Sequence, residues 1–440
     1  MENKTSNPRA KVDGRREFEL TEKTTRSRFF YGYVITAAGF VIWGIGWGTF
    51  TPAFSVFFKP LLVEFGWTRA DTSLAYALSF FVQAGMAIIM GWLTDRFGPR
   101  IVMSVLGSGL GICYLLLSQI DALWQFTMTY AVVGGIGVST LTVPVMVTVS
   151  RWFVKRRGLM IGIVQAGMGL GGFVFAPLAG WLIVSYGWRS AYNILGIITL
   201  VGLVSGGLFL SRDPREKGQL PDGEGATTVT AEKLLQPSVQ TAGFTLRDAI
   251  RTHSFWMIAG LYSVFGFCRS TFTAHLAAHV QDSGFSLADG ANVLAVVVGA
   301  SVFGRIGLGR VADIIGNRRG FIISFGTTAL ALLWLLVSRE LWMFFVFAFV
   351  YGVAWGNQAV LRFAIASEYF GLASLGLIMG ILGVGESVAA TLGSFMAGYI
   401  YDVFGSYNVM FCVGIGVSAT GILIGWLLRP ATAKSGQSHP

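Results

Sequence analysis

The sequence predicts an all-α, polytopic membrane protein with twelve transmembrane helices arranged as two six-helix repeats. Three observations support this fold class. The composition is 54% hydrophobic and only 12% charged, with a mean hydropathy of +0.65, whereas a soluble domain has about 25% charged residues. Apolar runs of about 20 residues recur along the chain, and each can cross a hydrocarbon core of about 30 Å. Glycines and acidic residues of the first half also recur in the second half at a constant interval.

Polar segments divide the chain into five regions, and the apolar runs between them predict the spans. The regions are a disordered cytoplasmic tail without a signal-peptide pattern (1–28), a first six-helix bundle (29–210), a cytoplasmic central loop (211–250), a second six-helix bundle (251–430) and a short cytoplasmic tail (431–440). Spans 1 to 6 are predicted at 30–62, 70–94, 100–119, 124–152, 158–185 and 190–210. Spans 7 to 12 are predicted at 254–281, 287–313, 319–338, 342–369, 373–403 and 407–428.

The basic residues are distributed unevenly between the two ends of these spans. Most of them fall on the side of the two termini, and the opposite side carries only Lys59, Arg69, Arg189 and Arg339. Because loops rich in Lys and Arg stay in the cytoplasm, this pattern places both termini there and predicts a multi-pass protein of the inner or plasma membrane. The net charge of +10 is therefore explained by membrane orientation, and we expect no nucleic-acid partner.

An internal repeat relates the two halves. Adding 218 to a residue number maps each of four segments of the first half onto its counterpart in the second. Two of the matches are Gly66 and Asp71 with Gly284 and Asp289, and Gly91, Asp95 and Gly98 with Gly309, Asp313 and Gly316. The other two are Gly158 and Gly162 with Gly376 and Gly380, and Gly180 and Gly187 with Gly398 and Gly405. Because the interval is the same without a gap, the halves are expected to be parallel repeats with a binding site between them.

Two motifs in these halves resemble a known family. The turn GWLTDRFGPR at 91–100 and its copy GRVADIIGNRR at 309–319 resemble the loop signature of the major facilitator superfamily. The stretch WFVKRRGLMIGIVQAG at 152–167 is similar to the signature of monocarboxylate transporters, with Met160 and Val164 in place of its alanines. The segment VFFK at 56–59 and an arginine in span 8, Arg305, resemble the same family and its bacterial oxalate/formate porter relatives. Pro52 and Ser301 stand where animal members carry a lysine and an aspartate.

This resemblance implies a secondary active transporter rather than an enzyme. The implied substrate is a small organic monocarboxylate, similar to lactate or pyruvate, moved with a proton by rocking of the two halves of a monomer, without a cofactor. An organic-anion exchanger of the oxalate/formate type and a drug-efflux antiporter remain alternatives. A receptor without transport is a further alternative. An intramembrane enzyme would need a nucleophile with its base or a metal cluster, and the three cysteines show no metal-ligand spacing.

Arg305 and Glu386 are the strongest candidates for substrate and proton binding. The guanidinium of Arg305 offers a fork that fits a carboxylate; the alternative is a permanent structural pair with Glu386. Burial of Glu386 within span 11 disfavours its charged form, which makes it a candidate proton carrier. The alternative is that Glu386 is the charge partner of Arg305, Arg269 or Arg362.

Other residues are assigned weaker roles. His275 shares one face of span 7 with His279, and is either a proton-coupling or outer-gate residue or a packing residue. The polar side chains expected to complete the substrate site are Asn357, Gln358, Tyr130 and Gln165. The resemblance implies that the duplicated turn is a gate in which the acid contacts a neighbouring helix N-terminus. Its predicted gating residues are Asp95, Arg96, Arg100, Asp313 and Arg318.

Overall fold

The computed structural model describes residues 29–223, 244–305, 315–371 and 375–428, and helices occupy every predicted span. In the first half, spans 1 and 2 are Gly32–Phe65 and Arg69–Phe97, and span 3 consists of Pro99–Leu106 and Ser108–Leu117. Span 4 consists of Leu123–Met128, Thr129–Gly134 and Gly135–Trp152, and Arg157–Leu208 contains both span 5 and span 6. In the second half, spans 7 to 12 are His253–Asp282, Leu287–Phe303, Asn317–Val337, Leu341–Phe370, Leu375–Phe404 and Asn408–Leu427. Both predicted tails and half of the central loop (224–243) lie outside the described residues, so the division into five regions stays a prediction.

Eight of the described helices are long and apolar enough to cross a membrane by themselves, or nine if the bent pair Arg69–Ala87 and Ile89–Phe97 counts as one. One of the eight, Gly158–Leu208, is too long for a single crossing. Its chain direction changes at Gly187, where φ is 78° and ψ is 160°, a conformation that glycine adopts without steric penalty. The two remaining crossings are span 7, which is more polar, and span 8. The helix described for span 8, Leu287–Phe303, is short. The predicted twelve-span, all-helical fold is confirmed.

The internal repeat is visible in the backbone as well as in the sequence. Three pairs of glycines with positive φ lie 218 residues apart at matching helix ends: Gly66 and Gly284, Gly98 and Gly316, and Gly187 and Gly405. Span 2 begins with a cap in which Thr68 accepts the N–H of Asp71, and span 8 begins with the same cap formed by Ser286 and Asp289. The same turn and cap chemistry therefore shapes both halves.

The halves meet along spans 5 and 8 and along spans 2 and 11. A Cβ on Gly172 of span 5 would collide with the side chain of Val298 in span 8. A Cβ on Gly398 of span 11 would lie 2.6 Å from the carbonyl oxygen of Arg69 at the start of span 2. Glycine at these positions lets helices of opposite halves approach closely. Spans 8 and 11, which carry Arg305 and Glu386, are thereby held next to the first half.

Candidate functional site

Glu386 of span 11 lies between two arginines of neighbouring spans. Its Oε2 accepts a direct hydrogen bond from Nη1 of Arg362 in span 10, and its Oε1 lies 4.0 Å from Nε of Arg269 in span 7. All three side chains are at most 15% exposed. Of the partners considered from the sequence, the structure therefore selects Arg362 and Arg269.

Aromatic rings support both arginines. The guanidinium carbon of Arg362 lies 4.0 Å above the ring of Phe265, and that of Arg269 lies 4.6 Å above the ring of Phe80 in span 2. Cations interact favourably with aromatic faces, and the interaction strengthens where water is excluded. Because Phe80 belongs to the first half and Phe265 to the second, this charged cluster lies at the boundary between the halves.

Arg305 is the last described residue of span 8, and its side chain reaches the first half. Its Nη1 donates a hydrogen bond of 2.6 Å to the carbonyl oxygen of Gln165, and its Nη2 lies 3.7 Å from Sδ of Met168, both in span 5. Its Nε is buried and has no hydrogen-bond partner within the described ranges. The structural pair with Glu386 that the sequence left open is not formed in this conformation. Arg305 instead links the two halves, and the Nε–H of its guanidinium makes no hydrogen bond to the residues that the structure describes.

The cluster formed by Arg269, Arg305, Arg362 and Glu386 has an excess of positive charge. The guanidinium groups of Arg269 and Arg362 face the carboxylate of Glu386, and Arg305 lies close enough to Arg362 for these two arginines to repel each other. Placing a charge at bilayer depth costs about 3 kcal/mol on insertion scales. An anion bound among these arginines would offset their repulsion, so the cluster is electrostatically suited to an anionic ligand.

The four polar residues predicted to complete the site have partners inside their own half or make backbone contacts. Asn357 donates to the hydroxyl of Ser324, and Gln358 donates to that of Thr328 at 3.0 Å, which ties span 10 to span 9. In the first half, the Tyr130 hydroxyl donates to the carbonyl of Phe50 at 2.9 Å. Gln165 contributes its carbonyl oxygen to Arg305. Their role in substrate binding stays a prediction.

A network of charges joins the halves at the membrane face opposite to Phe29 and Leu428, which we call the outer side. Asp282, at the end of span 7, accepts from Lys59 of span 1 at 2.8 Å and from Arg69 of span 2 at 2.7 Å. Arg69 also donates to the Tyr407 hydroxyl at 2.6 Å and lies 3.5 Å above the ring of Tyr401. These contacts close the outer side of this conformation.

Asp402 adds a second connection at the same place. Its two carboxylate oxygens accept the backbone N–H groups of Arg69 and Ala70, at 3.0 and 2.8 Å. These N–H groups begin span 2 and have no partner within their own helix, and the helix dipole favours a negative charge there. The carboxylate of one half thus caps a helix of the other. Sequence reasoning missed this network, although Lys59 and Arg69 already stood out as two of the few basic residues on this side.

His275 lies beside this network rather than beside Arg305. Its Nε2 is 3.0 Å from the carbonyl oxygen of Ser394, and its Nδ1 is 3.0 Å from the Tyr407 hydroxyl. Because a carbonyl only accepts, Nε2 carries the hydrogen in the neutral ring and Nδ1 accepts from Tyr407. A chain of hydrogen bonds therefore runs from Arg69 through Tyr407 to His275. The predicted role of His275 in proton coupling stays untested.

The first copy of the duplicated turn, at 91–100, lies on the opposite face of the membrane. Asp95 forms an ion pair of 2.8 Å with Arg151 at the end of span 4, a different partner from the helix N-terminus that the resemblance implied. Arg96 lies 5.3 Å above the ring of Trp92, and Arg100 is exposed. Arg318 donates to the carbonyls of Gly425 and Trp426 at the end of span 12. Asp313 falls outside the described residues, so the structure gives no partner for it.

The family profile described as Major Facilitator Superfamily matches residues 36–319 and 293–439 of this chain. Monocarboxylate transporter 13 of Rattus norvegicus is 26% identical over 399 residues, which cover 90% of this chain and 88% of that protein. The agnestins efflux protein AgnL12 of Paecilomyces divaricatus is 26% identical over 392 residues, which cover 88% and 84%. A solved bacterial homolog to the human lysosomal transporter Spinster, inward-facing and unoccupied, has a TM-score of 0.68 at 16% identity and covers 91% of this chain and 95% of its own. This likeness shows a shared fold.

Proposed function

Because this chain belongs to the Major Facilitator Superfamily, we propose that it is a secondary active transporter that carries a small organic monocarboxylate by proton symport. The substrate is of the lactate or pyruvate kind. The observation that carries this proposal is the cluster of three arginines and one glutamate at the boundary between the halves. An anion that enters this cluster meets an excess of positive charge, and a guanidinium fork matches the geometry of a carboxylate.

Arg305 is the proposed main ligand of the substrate carboxylate. It reaches across to span 5, and its buried Nε–H lacks a partner in the described part of the chain. A carboxylate that accepts from Arg305 would replace the carbonyl of Gln165 as its partner and loosen one link between the halves. Substrate binding would in this way act directly on the contact that must change when the halves rock.

Proton coupling is assigned to Glu386. A carboxylate that gains and loses a proton beside the substrate site couples the two fluxes, and Glu386 is the acidic residue in contact with Arg269 and Arg362. The charge network at the outer side serves as the outer gate, and the Asp95 turn as part of the gate on the other face. We further propose that the protein works as a monomer in the inner or plasma membrane, with both termini in the cytoplasm.

Reconstituted uptake tests this function. Purified protein in liposomes is given labelled lactate, pyruvate, formate or oxalate, with and without an inward proton gradient. We expect accumulation of a monocarboxylate that depends on the gradient and is abolished by a protonophore. Absence of uptake for every acid in the panel would contradict the proposal.

An anion exchanger or an efflux antiporter is the second candidate, because a relative of similar identity is named an efflux protein. The same liposomes separate these functions. Exchange would give uptake only when liposomes are preloaded with an anion, regardless of the proton gradient. Efflux driven by protons would give uptake under a gradient of the opposite direction.

A further inference from the structure

His275 of span 7 is held at the closed outer side by one hydrogen bond that it donates and one that it accepts. Its Nε2 lies 3.0 Å from the carbonyl oxygen of Ser394 in span 11, and its Nδ1 lies 3.0 Å from the hydroxyl of Tyr407 at the start of span 12. The residue is 3% exposed, so water does not replace either partner. Because a carbonyl oxygen only accepts, Nε2 must donate, and in the neutral ring Nδ1 must accept.

The hydroxyl of Tyr407 connects His275 to the ion pair that joins the halves. Its oxygen accepts from Nη1 of Arg69 at 2.6 Å, and its hydrogen is donated to Nδ1 of His275. Arg69 in turn pairs with Asp282 at 2.7 Å. Every hydrogen in this chain has an acceptor only if the imidazole is neutral, so the closed outer side fits the neutral form of His275.

A proton on Nδ1 of His275 would disrupt this chain. The new N–H would have to donate to the Tyr407 oxygen, which already accepts from Arg69, and the Tyr407 hydroxyl would lose the acceptor of its own hydrogen. Tyr407 is buried, and a buried donor without its acceptor destabilises the conformation that contains it. The charged ring would also share one oxygen with the guanidinium of Arg69, and two cations at this distance repel each other.

The other groups near His275 compensate little for this loss. Asp282 would attract a charged imidazole, but its carboxylate already lies between Lys59 and Arg69. The ring of Phe58 in span 1 packs against the imidazole at 5.0 Å and carries no charge. In the described part of the chain, the charged and titratable side chains around His275 and its partners are Lys59, Arg69, His279, Asp282, Tyr401, Asp402 and Tyr407.

We propose that His275 is a pH sensor of the outer gate: the outer side closes when the imidazole is neutral, and a proton on Nδ1 holds it open. The proton comes from the outer solution while this side is open and returns there before closure, and no other covalent bond forms or breaks. His275 then controls access to the substrate site without carrying the coupled proton. The inference adds a regulatory step to the proposed function and does not depend on which acid is carried.

Distances between spin labels measure this opening without any substrate. Val63 of span 1 and Ala288 of span 8 are exposed positions at the outer ends of opposite halves. Nitroxide labels on Val63→Cys and Ala288→Cys, with exposed Cys412 replaced by serine, report the separation of the halves by pulsed electron paramagnetic resonance. An imidazole in water has a pKa of about 6.5. If closure requires the neutral ring, the ratio of open to closed molecules should rise roughly tenfold from pH 7.5 to pH 5.5.

The variant His275→Gln removes the sensor and keeps the hydrogen-bonding pattern. An amide offers one accepting oxygen and one donating nitrogen and does not titrate in this range. We expect the closed population of wild type at pH 7.5 and a change of less than twofold at pH 5.5. His279→Gln is the matched control, since His279 lies one helical turn away on the same face and packs against the rings of Phe344 and Phe411. This control should keep the tenfold response.

The inference is overturned if the labelled wild type has the same distance distribution at both pH values, if His275→Gln still responds, or if His279→Gln loses the response. If His275→Gln does not fold, the wild-type response and its persistence in His279→Gln decide. The uptake assay is independent of this measurement. Absence of transport together with a pH-dependent distance would contradict the proposed function and support the sensor.

Discussion

Arg69 and Asp282 form an ion pair of 2.7 Å that joins span 2 of the first half to the end of span 7 in the second half. Asp282 also binds Lys59, and Arg69 also binds Tyr407, so each member of the pair has a further partner in the opposite half. A transporter that alternates between two open states must break these contacts each time its outer side opens. The pair therefore offers a direct way to shift that equilibrium.

We predict that Asp282→Asn favours opening of the outer side, because both Lys59 and Arg69 lose their carboxylate. The side chains of this pair are only 10% and 16% exposed, but asparagine keeps an oxygen that can accept from either cation, so the expected change is about 1 kcal/mol, or roughly a fivefold shift in population. Ser55→Cys serves as a reporter, since Ser55 is buried and its Oγ lies 3.4 Å from the backbone nitrogen of Ala277 across the boundary. In a background with exposed Cys412 replaced by serine, an impermeant maleimide should label this reporter about fivefold faster in Asp282→Asn.

The control for this prediction is Glu64→Gln. Glu64 also lies at the outer end of a span and binds Arg189, but both belong to the first half. Its loss should leave labelling of the reporter unchanged. Equal labelling rates in Asp282→Asn and wild type would show that the pair is not part of the outer gate.

We predict that Arg305→Lys keeps the positive charge but loses most transport. Lysine lacks the fork that lets a guanidinium bind a carboxylate through two nitrogens. Loss of one charge-assisted hydrogen bond corresponds to about 1.5–3 kcal/mol, so kcat/KM for uptake should fall roughly ten- to hundredfold. The exposed Arg339 provides the matched Arg339→Lys control, which should transport normally. Normal uptake by Arg305→Lys would remove Arg305 from the substrate site.

We predict opposite effects of alanine at two glycines of the second half. A Cβ on Gly356 of span 10 would overlap the backbone carbonyl of Ser301 in span 8, whereas a Cβ on Gly326 of span 9 would meet no atom within 4 Å. Gly356→Ala should therefore destabilise the protein by about 1–3 kcal/mol. Gly326→Ala should be neutral or stabilise it by up to about 1 kcal/mol, since alanine is the better helix former. Thermal unfolding in detergent measures both, and similar melting temperatures would contradict the packing described for span 10.

We predict that Asp95→Asn slows transport with little change in stability. The ion pair with Arg151 is largely exposed, so it contributes less than about 1 kcal/mol. A gating role would lower the maximal uptake rate and leave the apparent KM nearly unchanged. The exchanged pair, Asp95→Arg with Arg151→Asp, should restore part of the rate, and Asp121→Asn is the surface control. If the exchanged pair is as slow as the single variant, the two residues do not act together.

The sequence by itself determined the features that depend on local chemistry. Hydropathy located the spans, because the bilayer requires a nearly continuous apolar run of fixed length for each crossing. The interval of 218 residues located the matched turns, and the glycines at Gly66 and Gly284 have positive φ in both halves. The caps at Thr68 and Ser286 likewise follow from residues three positions apart. These features need no knowledge of how the helices pack.

Only the tertiary structure decided which groups meet. Arg305 contacts the carbonyl of Gln165, 140 positions away, and Glu386 contacts Arg362 instead of Arg305. Asp282 and Arg69 meet across the two halves, although the repeated segment that contains Arg69 does not indicate Asp282 as its partner. Such partners depend on the rotation of each helix about its axis and on the distance between helices, which packing at positions such as Gly172 and Gly398 sets. Hydropathy carries no information on either quantity, and therefore the charges could be listed from the sequence but not paired.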